Sequence, residues 1–217
     1  MYNVNNVIYE VEVSAVEDIE QTPQKEESKK SKAQKTVLSY LHDLVFGLVA
    51  VLLLFMLVFR VIVVSGPSMK ETLQNGDCIV LLSSVFYNEP KYGDIVVVSK
   101  KAYKDGEPII KRVIATEGQE VNIDFYKGIV SVDGVELDEP YVNTPTNEYE
   151  GIEFPQIVPT GCVFVLGDNR NLSKDSRSPD IGMIDKREIL GKALVIALPG
   201  PNEVTKKRDF KRIGVLW

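Results

Sequence analysis

The stretch Ser65-Gly66-Pro67-Ser68-Met69-Lys70-Glu71-Thr72-Leu73 begins where a long apolar run ends. The glycine and proline before Ser68 predict a turn, which can hold one hydroxyl away from the hydrogen bonds of its own backbone. A serine after Gly-Pro is usually only a turn residue, so its meaning depends on the rest of the chain. We therefore treat Ser68 as a candidate nucleophile and ask what could activate it.

The apolar run before this stretch predicts a membrane-spanning helix. Leu44 to Phe59 contains no charged residue, and Val61 to Val64 extend the run to the roughly 20 residues that a spanning helix needs. Arg60 is the one charge in the run, and near its outer end the side chain can reach the lipid headgroups. A long polar segment precedes the run, unlike the short basic segment of a cleaved signal peptide, so we expect the chain to stay tethered.

The run divides the chain into a tail of residues 1–36, a spanning segment of residues 37–64 and a domain of residues 65–217. The tail is polar and charged, so we expect it to be disordered. Basic residues are scarce just after the run but cluster just before it, at Lys29, Lys30, Lys32 and Lys35. This places the N-terminus in the cytoplasm and the domain outside a cell membrane that the chain crosses once. The net charge of -6 does not suggest a nucleic-acid partner.

The outer domain has the pattern of a mainly β fold. Short runs of Val, Ile, Leu and Phe alternate with turn pairs such as Asn75-Gly76 and Asp133-Gly134. The predicted strands are Ile79–Leu82, Ile95–Val98, Ile109–Ile114, Glu120–Ile123, Ile129–Val132, Cys162–Leu166 and Ala193–Leu198. We expect at most a brief helix, around residues 186–190, and an extended connection or flap at residues 143–160. The sequence shows no cluster of metal ligands, so we predict neither metal nor cofactor.

A serine nucleophile needs a base, and the topology excludes the single histidine. His42 precedes the spanning run, so about 30 Å of membrane would separate it from Ser68. A lysine base remains, and Lys111 is the candidate because on a strand it shares a face with Ile109 and Val113. An apolar environment can lower the pKa of such an amine from about 10.4 to about 7 or 8. On this segment alone, an exposed pair of cations at a strand end is the more common arrangement.

A third segment, Gly167 to Arg177, directly follows the predicted strand Cys162–Leu166. It is dense in short hydrogen-bonding side chains, which can orient a buried amine and offset its desolvation. By itself it could equally be a surface turn.

These three segments, with Gly93 to Val98, resemble the characteristic boxes of type I signal peptidases, in the pattern of Gram-positive enzymes. The resemblance also covers three further segments, Gly128 to Gly134, Glu139 to Val142 and Ile189 to Ala193. It implies one spanning helix followed by a β-rich extracytoplasmic catalytic domain of the signal peptidase type. The tail lies outside it.

The resemblance also implies a role for individual residues. Ser68 would be the acylated nucleophile and would donate its backbone N–H to the oxyanion, and Lys111 would be the general base. Ser173 would hydrogen-bond the amine of Lys111. Two ion pairs would support the site, Arg112 with Asp168 and Arg177 with Asp175.

The implied reaction is removal of signal peptides from secreted preproteins, with small side chains one and three residues before the cleaved bond. The substrate would lie extended along a strand edge beside Ser68. Membrane lipid and the export machinery would be close by.

Several positions depart from the family pattern. Gly66 stands where some relatives carry a serine that completes the oxyanion hole, so the second oxyanion donor is open. The other departures are Glu71, Ala115, Asn171 and Leu172.

Two other functions compete with this one. A self-cleaving repressor of the SOS type shares the Ser-Lys chemistry, but it is soluble and binds DNA, which the spanning run and the acidic tail argue against. A membrane-tethered binding domain, with Ser68 and Lys111 as mere surface residues, leaves the coincidence of segments unexplained. Cys78 and Cys162 could form a disulfide outside the cytoplasm, but in apolar strands we expect them to act as small unpaired hydrophobes.

Overall fold

The structure is a computed structural model that describes residues 34–70, 72–202 and 204–216. Residues 1–33 of the predicted tail, and Glu71, lie outside the described residues. The chain divides into two compact units, residues 1–54 and 55–217. One helix, α1, covers Gln34–Val58 and is long and apolar enough to cross a membrane.

The second unit is built from antiparallel strands. In chain order they are β1 (Phe59–Val63), β2 (Cys78–Ser83), β3 (Ile95–Val98), β4 (Ile109–Thr116), β5 (Glu120–Asp124), β6 (Ile129–Val132), β7 (Val135–Glu136), β8 (Gln156–Ile157), β9 (Cys162–Leu166), β10 (Ile184–Asp185), β11 (Ile189–Leu198) and β12 (Gly214–Val215). Short 3-10 turns cover Lys104–Gly106, Arg170–Leu172, Lys186–Glu188 and Phe210–Arg212. The mainly β fold with one N-terminal apolar helix is thus confirmed.

The strands form two sheets. The larger one has the order β1-β2-β11-β3-β4-β9-β10, with β12 beside β11, and the smaller one has the order β7-β6-β5-β8. All four residues of β3 are buried, as expected for a central strand covered on both faces. The strand β1 stands at one end of the order, so one of its edges has no strand partner among the described residues.

The apolar run predicted to span the membrane is divided between two elements. α1 ends at Val58, and the following residues form β1, which pairs with β2 in the register Val61 to Val80. The β-branched residues of β1 favour this extended conformation. Arg60 therefore lies exposed in a strand, and the helical part of the run is shorter than the predicted segment 37–64.

Between residues 186 and 198 the elements also differ from the prediction. The brief helix expected at residues 186–190 is only the 3-10 turn Lys186–Glu188, and β11 begins at Ile189 rather than Ala193. The turn is closed by the side chain of Asp185, which accepts a hydrogen bond from the backbone N–H of Arg187. Between residues 143 and 160 the only strand is the short β8.

Apolar clusters fix the two elements that carry the candidate dyad. One cluster contains Met69 and Leu73, which follow Ser68 in the chain, together with Ile110 of β4. A second cluster joins Val113 of β4 to Val165 of β9. Fully burying one such side chain stabilises the fold by about 1.5 to 3 kcal/mol, so the turn and the strand are held firmly in the same core.

Candidate active site

The Ser68 turn is fixed by its backbone and by the buried residues after Ser68. Gly66 has a φ of 90°, a conformation that residues with a side chain rarely adopt. The N–H of Lys70 bonds the carbonyl of Pro67 at 3.1 Å, and the N–H of Leu73 bonds that of Met69 at 2.8 Å. Ser68 itself is half-buried, and its own N–H finds no acceptor in the described part of the chain. The turn thus presents a hydroxyl and an amide hydrogen for which the described residues provide no acceptor.

Lys111 brings a buried amine to this hydroxyl. It lies on β4 opposite Val96 of β3 and is 3% exposed. Its Nζ lies 2.9 Å from the Oγ of Ser68 and 3.0 Å from the carbonyl oxygen of Ile110. A neutral amine at this distance is within reach of the serine proton, which is the first requirement of a general base.

The segment after β9 holds the Ser68 turn from the other side. The backbone N–H of Asn169 bonds the carbonyl of Ser68 at 3.0 Å, and its side-chain Nδ2 bonds the carbonyl of Pro67 at 3.0 Å. Gly167 is packed so closely that a Cβ there would lie 2.1 Å from the Oγ of Ser173 and 2.6 Å from the carbonyl oxygen of Ser68. Only glycine fits between these groups without displacing one of them.

Ser173 lies at the site, but not in the predicted contact. It is 5% exposed, and its hydroxyl has no hydrogen-bond partner within the described residues. The predicted bond to Lys111 is therefore not formed in this structure, where the hydroxyl lies against Gly167 instead. A buried hydroxyl without a partner costs roughly 1 to 3 kcal/mol, which favours any rearrangement that supplies one.

The structure pairs Arg112 with Asp168 in a bidentate contact. Nε lies 2.8 Å from Oδ1 and Nη2 lies 2.7 Å from Oδ2, with both side chains buried. The hydroxyl of Thr72 also donates to this carboxylate, and Nη1 of Arg112 donates to the carbonyl of Gly93. The pair therefore ties the segment after Ser68 to β4 and to the loop after β9.

The structure likewise pairs Arg177 with Asp175, at 2.8 Å and 2.9 Å. Asp175 also accepts the backbone N–H of Gly167 at 3.0 Å, and Arg177 donates to the carbonyl of Ser173 at 3.1 Å. This pair therefore fixes Gly167 and Ser173, the two residues that pack together beside Ser68.

Glu150, which the sequence did not single out, contacts the same arginine. Its Oε1 lies 3.0 Å from Nη2 of Arg177, while Oε2 is buried without a partner among the described residues. Burial and the neighbouring charge of Asp175 raise the pKa of Glu150 to about 7, despite the contact with Arg177.

A second group that sequence reasoning missed connects Arg170 to Arg112. Arg170 contacts both oxygens of Glu139, at 2.7 Å and 2.5 Å, and donates to the hydroxyl of Thr146 at 2.8 Å. The hydroxyl of Tyr141 donates to Glu139 at 2.9 Å, and its ring centroid lies 3.9 Å from the Cζ of Arg112. In the sequence, Glu139, Tyr141 and Arg170 lie in segments that resemble the family. No pattern in the sequence indicated that these residues would contact one another.

Apart from Glu71, which lies outside the described residues, the positions that depart from the family pattern have ordinary structural roles. Ala115 is fully buried in β4, at a break in its register with β9. Asn171 donates from Nδ2 to the carbonyl of Pro145 at 3.1 Å, while Leu172 is exposed. Gly66 adds no side chain, and its N–H donates to the side-chain oxygen of Asn75 at 3.2 Å.

The sequence also led to predictions about the two thiols and about metal ligands. Cys78 and Cys162 are free thiols in the structure. Across residues 34–70, 72–202 and 204–216 there is no group of three or more His, Cys, Asp or Glu side chains that could hold a metal ion.

Comparison with known proteins identifies the family. Residues 37–198 match the family model described as signal peptidase, peptidase S26. The chain is 37% identical to a probable signal peptidase I-1 of Synechocystis over 72% of this chain and 80% of that protein. It is 30% identical to signal peptidase I of Bacillus licheniformis over 83% of this chain and 98% of that protein. A crystal structure of a signal peptidase I from Enterococcus faecalis V583 matches 48% of this chain and 96% of its own, with 30% identity and a TM-score of 0.40.

The chain belongs to the signal peptidase family, peptidase S26. It is therefore a protease that removes signal peptides from preproteins.

Proposed function

We propose that this protein is a membrane-bound serine endopeptidase in which Ser68 and Lys111 form the catalytic dyad. The observation that carries the proposal is the 2.9 Å contact between the buried amine of Lys111 and the hydroxyl of Ser68. A lysine, unlike an arginine, can give up its proton when burial disfavours its charge. Strand β4 buries the amine, and burial favours its neutral form, which can act as a base.

The reaction follows from this pair. The neutral amine of Lys111 takes the proton of Ser68 Oγ as that oxygen attacks the scissile carbonyl carbon. The C–N bond breaks, and the protonated amine returns the proton to the departing amino group of the mature chain. The resulting ester between Ser68 and the signal peptide is hydrolysed by water that Lys111 deprotonates, and the serine is regenerated.

The backbone N–H of Ser68 is the proposed oxyanion donor, supported by its lack of an acceptor within the described residues. Ser173 is the proposed orienting residue for the Lys111 amine. Its hydroxyl is buried at the site without a partner among the described residues, so it is available for such a bond. Arg112 with Asp168 and Arg177 with Asp175 are structural supports in this proposal.

The proposed substrates are secreted preproteins with small side chains one and three residues before the cleaved bond. The signal-peptide part would lie extended along the unpaired edge of β1, which leads directly into the Ser68 turn. In this arrangement α1 crosses the cell membrane with its N-terminus in the cytoplasm, and the β domain works outside, near lipid and the export machinery. No metal, cofactor or nucleic acid takes part.

The test is cleavage of a preprotein that has alanines one and three residues before the cleaved bond. The new N-terminus is identified by mass spectrometry. Detergent-solubilised wild type is compared with Ser68→Ala, Lys111→Ala and the control Lys101→Ala, which removes an exposed lysine. We expect wild type and the control to cut at the junction and both dyad variants to be silent though folded. Equal cutting by Lys111→Ala would show that Lys111 is not the base. A folded wild type that cuts no preprotein would favour the tethered binding domain.

A further inference from the structure

Two cavities flank the Ser68 turn and share Pro67 and Lys70 as part of their lining. The first, the Gly66 cavity, has a volume of about 240 Å³ and is also lined by Gly66, Asn75 and Asn202. The second, the Asn143 cavity, has a volume of about 260 Å³ and is also lined by Asn143, Thr144, Asn169 and Leu172. A peptide bond held at Ser68 needs room for the chain on both sides, and both cavities are lined by Pro67, the residue before Ser68.

Given the proposed function, the path of the chain indicates which cavity receives the signal peptide and which receives the mature chain. β1 leads through Gly66 into the turn, so a signal peptide extended along the edge of β1 arrives on the Gly66 side. The residues beyond the cleaved bond then continue on the opposite side. That side is the Asn143 cavity.

The walls of the Asn143 cavity are held in place before any substrate binds. Asn169 forms two hydrogen bonds to the Ser68 turn, both of 3.0 Å. Arg170 binds Glu139 and Thr146, so both ends of the loop that carries Asn143 are tied to one buried arginine. Walls fixed in this way lose little freedom on binding, which is what a selective subsite requires.

The lining of the Asn143 cavity is mostly polar and includes one lysine, Lys70. Lys70 is exposed at its rim, and Asn143, Thr144 and Asn169 add uncharged polar groups. Asp168 is the one acid among the described lining residues, and its carboxylate is taken up by Arg112. A carboxylate that enters the cavity therefore meets the Lys70 ammonium, whereas a second ammonium would be repelled by it.

We propose that the Asn143 cavity receives the first two residues of the mature chain and favours an acidic over a basic side chain there. This inference rests on the proposed function. Lys70 is then a specificity-determining residue and takes no part in the bond-breaking step. Because Lys70 is exposed, the preference is moderate, about two-fold to five-fold in kcat/KM, and it declines at high salt.

The experiment uses three preproteins that differ only at the second mature residue, which is Asp, Asn or Lys. For each enzyme the ratio of kcat/KM for the Asp substrate to that for the Lys substrate is measured at low and high salt. We expect wild type to favour Asp, Lys70→Gln to show a ratio near one, and Lys70→Glu to favour Lys. The control Lys101→Glu, an exposed lysine that lines neither cavity, should behave as wild type.

A second pair of variants separates the two cavities. Asn143→Asp adds a negative charge to the second cavity, and Asn202→Asp adds one to the first. We expect Asn143→Asp to lower the Asp to Lys ratio by more than Asn202→Asp does, because Lys70 lines both cavities but the mature residues occupy only the second. If Asn202→Asp lowers the ratio and Asn143→Asp does not, the assignment of the sides is wrong.

The two levels of the proposal fail differently. A ratio near one in a wild type that cuts all three substrates at the junction would overturn the subsite while leaving the peptidase intact. A wild type that cuts none of them would instead overturn the proposed function on which the subsite depends.

Discussion

Lys111 and Arg112 are neighbours on β4, and both are buried, yet their surroundings differ completely. Lys111 faces a hydroxyl, that of Ser68, at 2.9 Å. Arg112 faces the carboxylate of Asp168 in a bidentate contact, with the ring of Tyr141 against its guanidinium. A buried arginine keeps its charge and needs an anion, whereas a buried lysine can become neutral. The comparison separates a structural cation from a candidate base on one strand.

Lys111→Arg is the most severe test of this difference. It keeps a long basic side chain but removes the ability to lose a proton near neutral pH, because the pKa of arginine is above about 12. We expect peptidase activity to fall by about 10³-fold or more, since a general base contributes roughly 10² to 10⁴-fold. Single-turnover cleavage of a preprotein measures the loss, with Lys101→Arg as the control. Activity within about ten-fold of wild type would remove the distinction between the two cations.

Asp168→Asn tests whether Arg112 is a structural cation. It leaves the buried charge of Arg112 without its carboxylate, which should lower the free energy of unfolding by about 3 to 5 kcal/mol. The double variant Arg112→Met with Asp168→Leu removes both charges and should recover most of that loss. Chemical denaturation in detergent measures both. If the folded fraction of Asp168→Asn loses as much activity as Lys111→Arg, Arg112 is more than a support.

Gly167→Ala tests whether the close packing around Ser68, the partner of Lys111, is needed for activity. The added Cβ would lie 2.1 Å from the Oγ of Ser173 and 2.6 Å from the carbonyl oxygen of Ser68, so one of these groups must move. A displacement of about 1 Å at a reacting group can cost about 10²-fold in rate, and we expect a loss of that size in kcat. Gly214→Ala is the control, because nothing lies within 4 Å of the Cβ it would add. Unchanged kcat in a folded Gly167→Ala would mean that Ser173 and Ser68 need not keep this packing.

Glu150→Gln concerns Arg177, a third buried cation, which contacts two carboxylates rather than one. The pKa of Glu150 is raised to about 7 in the folded protein, so between its ordinary value of 4.5 and about 7 the folded state holds a proton that the unfolded state has lost. The contribution of Glu150 to stability is therefore present below pH 4.5 and is lost as the pH rises through 7. The loss should be at most about 3 kcal/mol across this window, because solvent screens part of the effect at this side chain, and Glu150→Gln should not show it.

Unfolding midpoints in denaturant at several pH values between about 4.5 and 8 measure the effect. Glu153→Gln, an exposed carboxylate on the same connection, is the matched control and should keep the wild-type profile. Identical profiles for wild type and Glu150→Gln would contradict the prediction. They would mean that the contact with Arg177 keeps the Glu150 carboxylate ionised over this pH range.

The sequence was sufficient for the elements whose signal is local. The central strands lie where the sequence has short runs of Val, Ile, Leu and Phe, as in β3 and β9. The division of the apolar run at Val58 was not readable, because apolar residues suit both a spanning helix and a strand that pairs with β2. The resemblance paired Lys111 with Ser68 and Arg112 with Asp168, as the structure does, but the bond that it implied between Ser173 and Lys111 is not formed.

What the sequence determined by itself was the mainly β fold, the apolar helix and the segments typical of a signal peptidase. Only the tertiary structure decided that the Lys111 amine, 43 residues from Ser68, lies against that hydroxyl. It also placed the Ser173 hydroxyl against Gly167, and it tied Arg170 to Glu139. Local periodicity specifies which face of a strand is buried, but which distant groups meet depends on how the strands pair and pack.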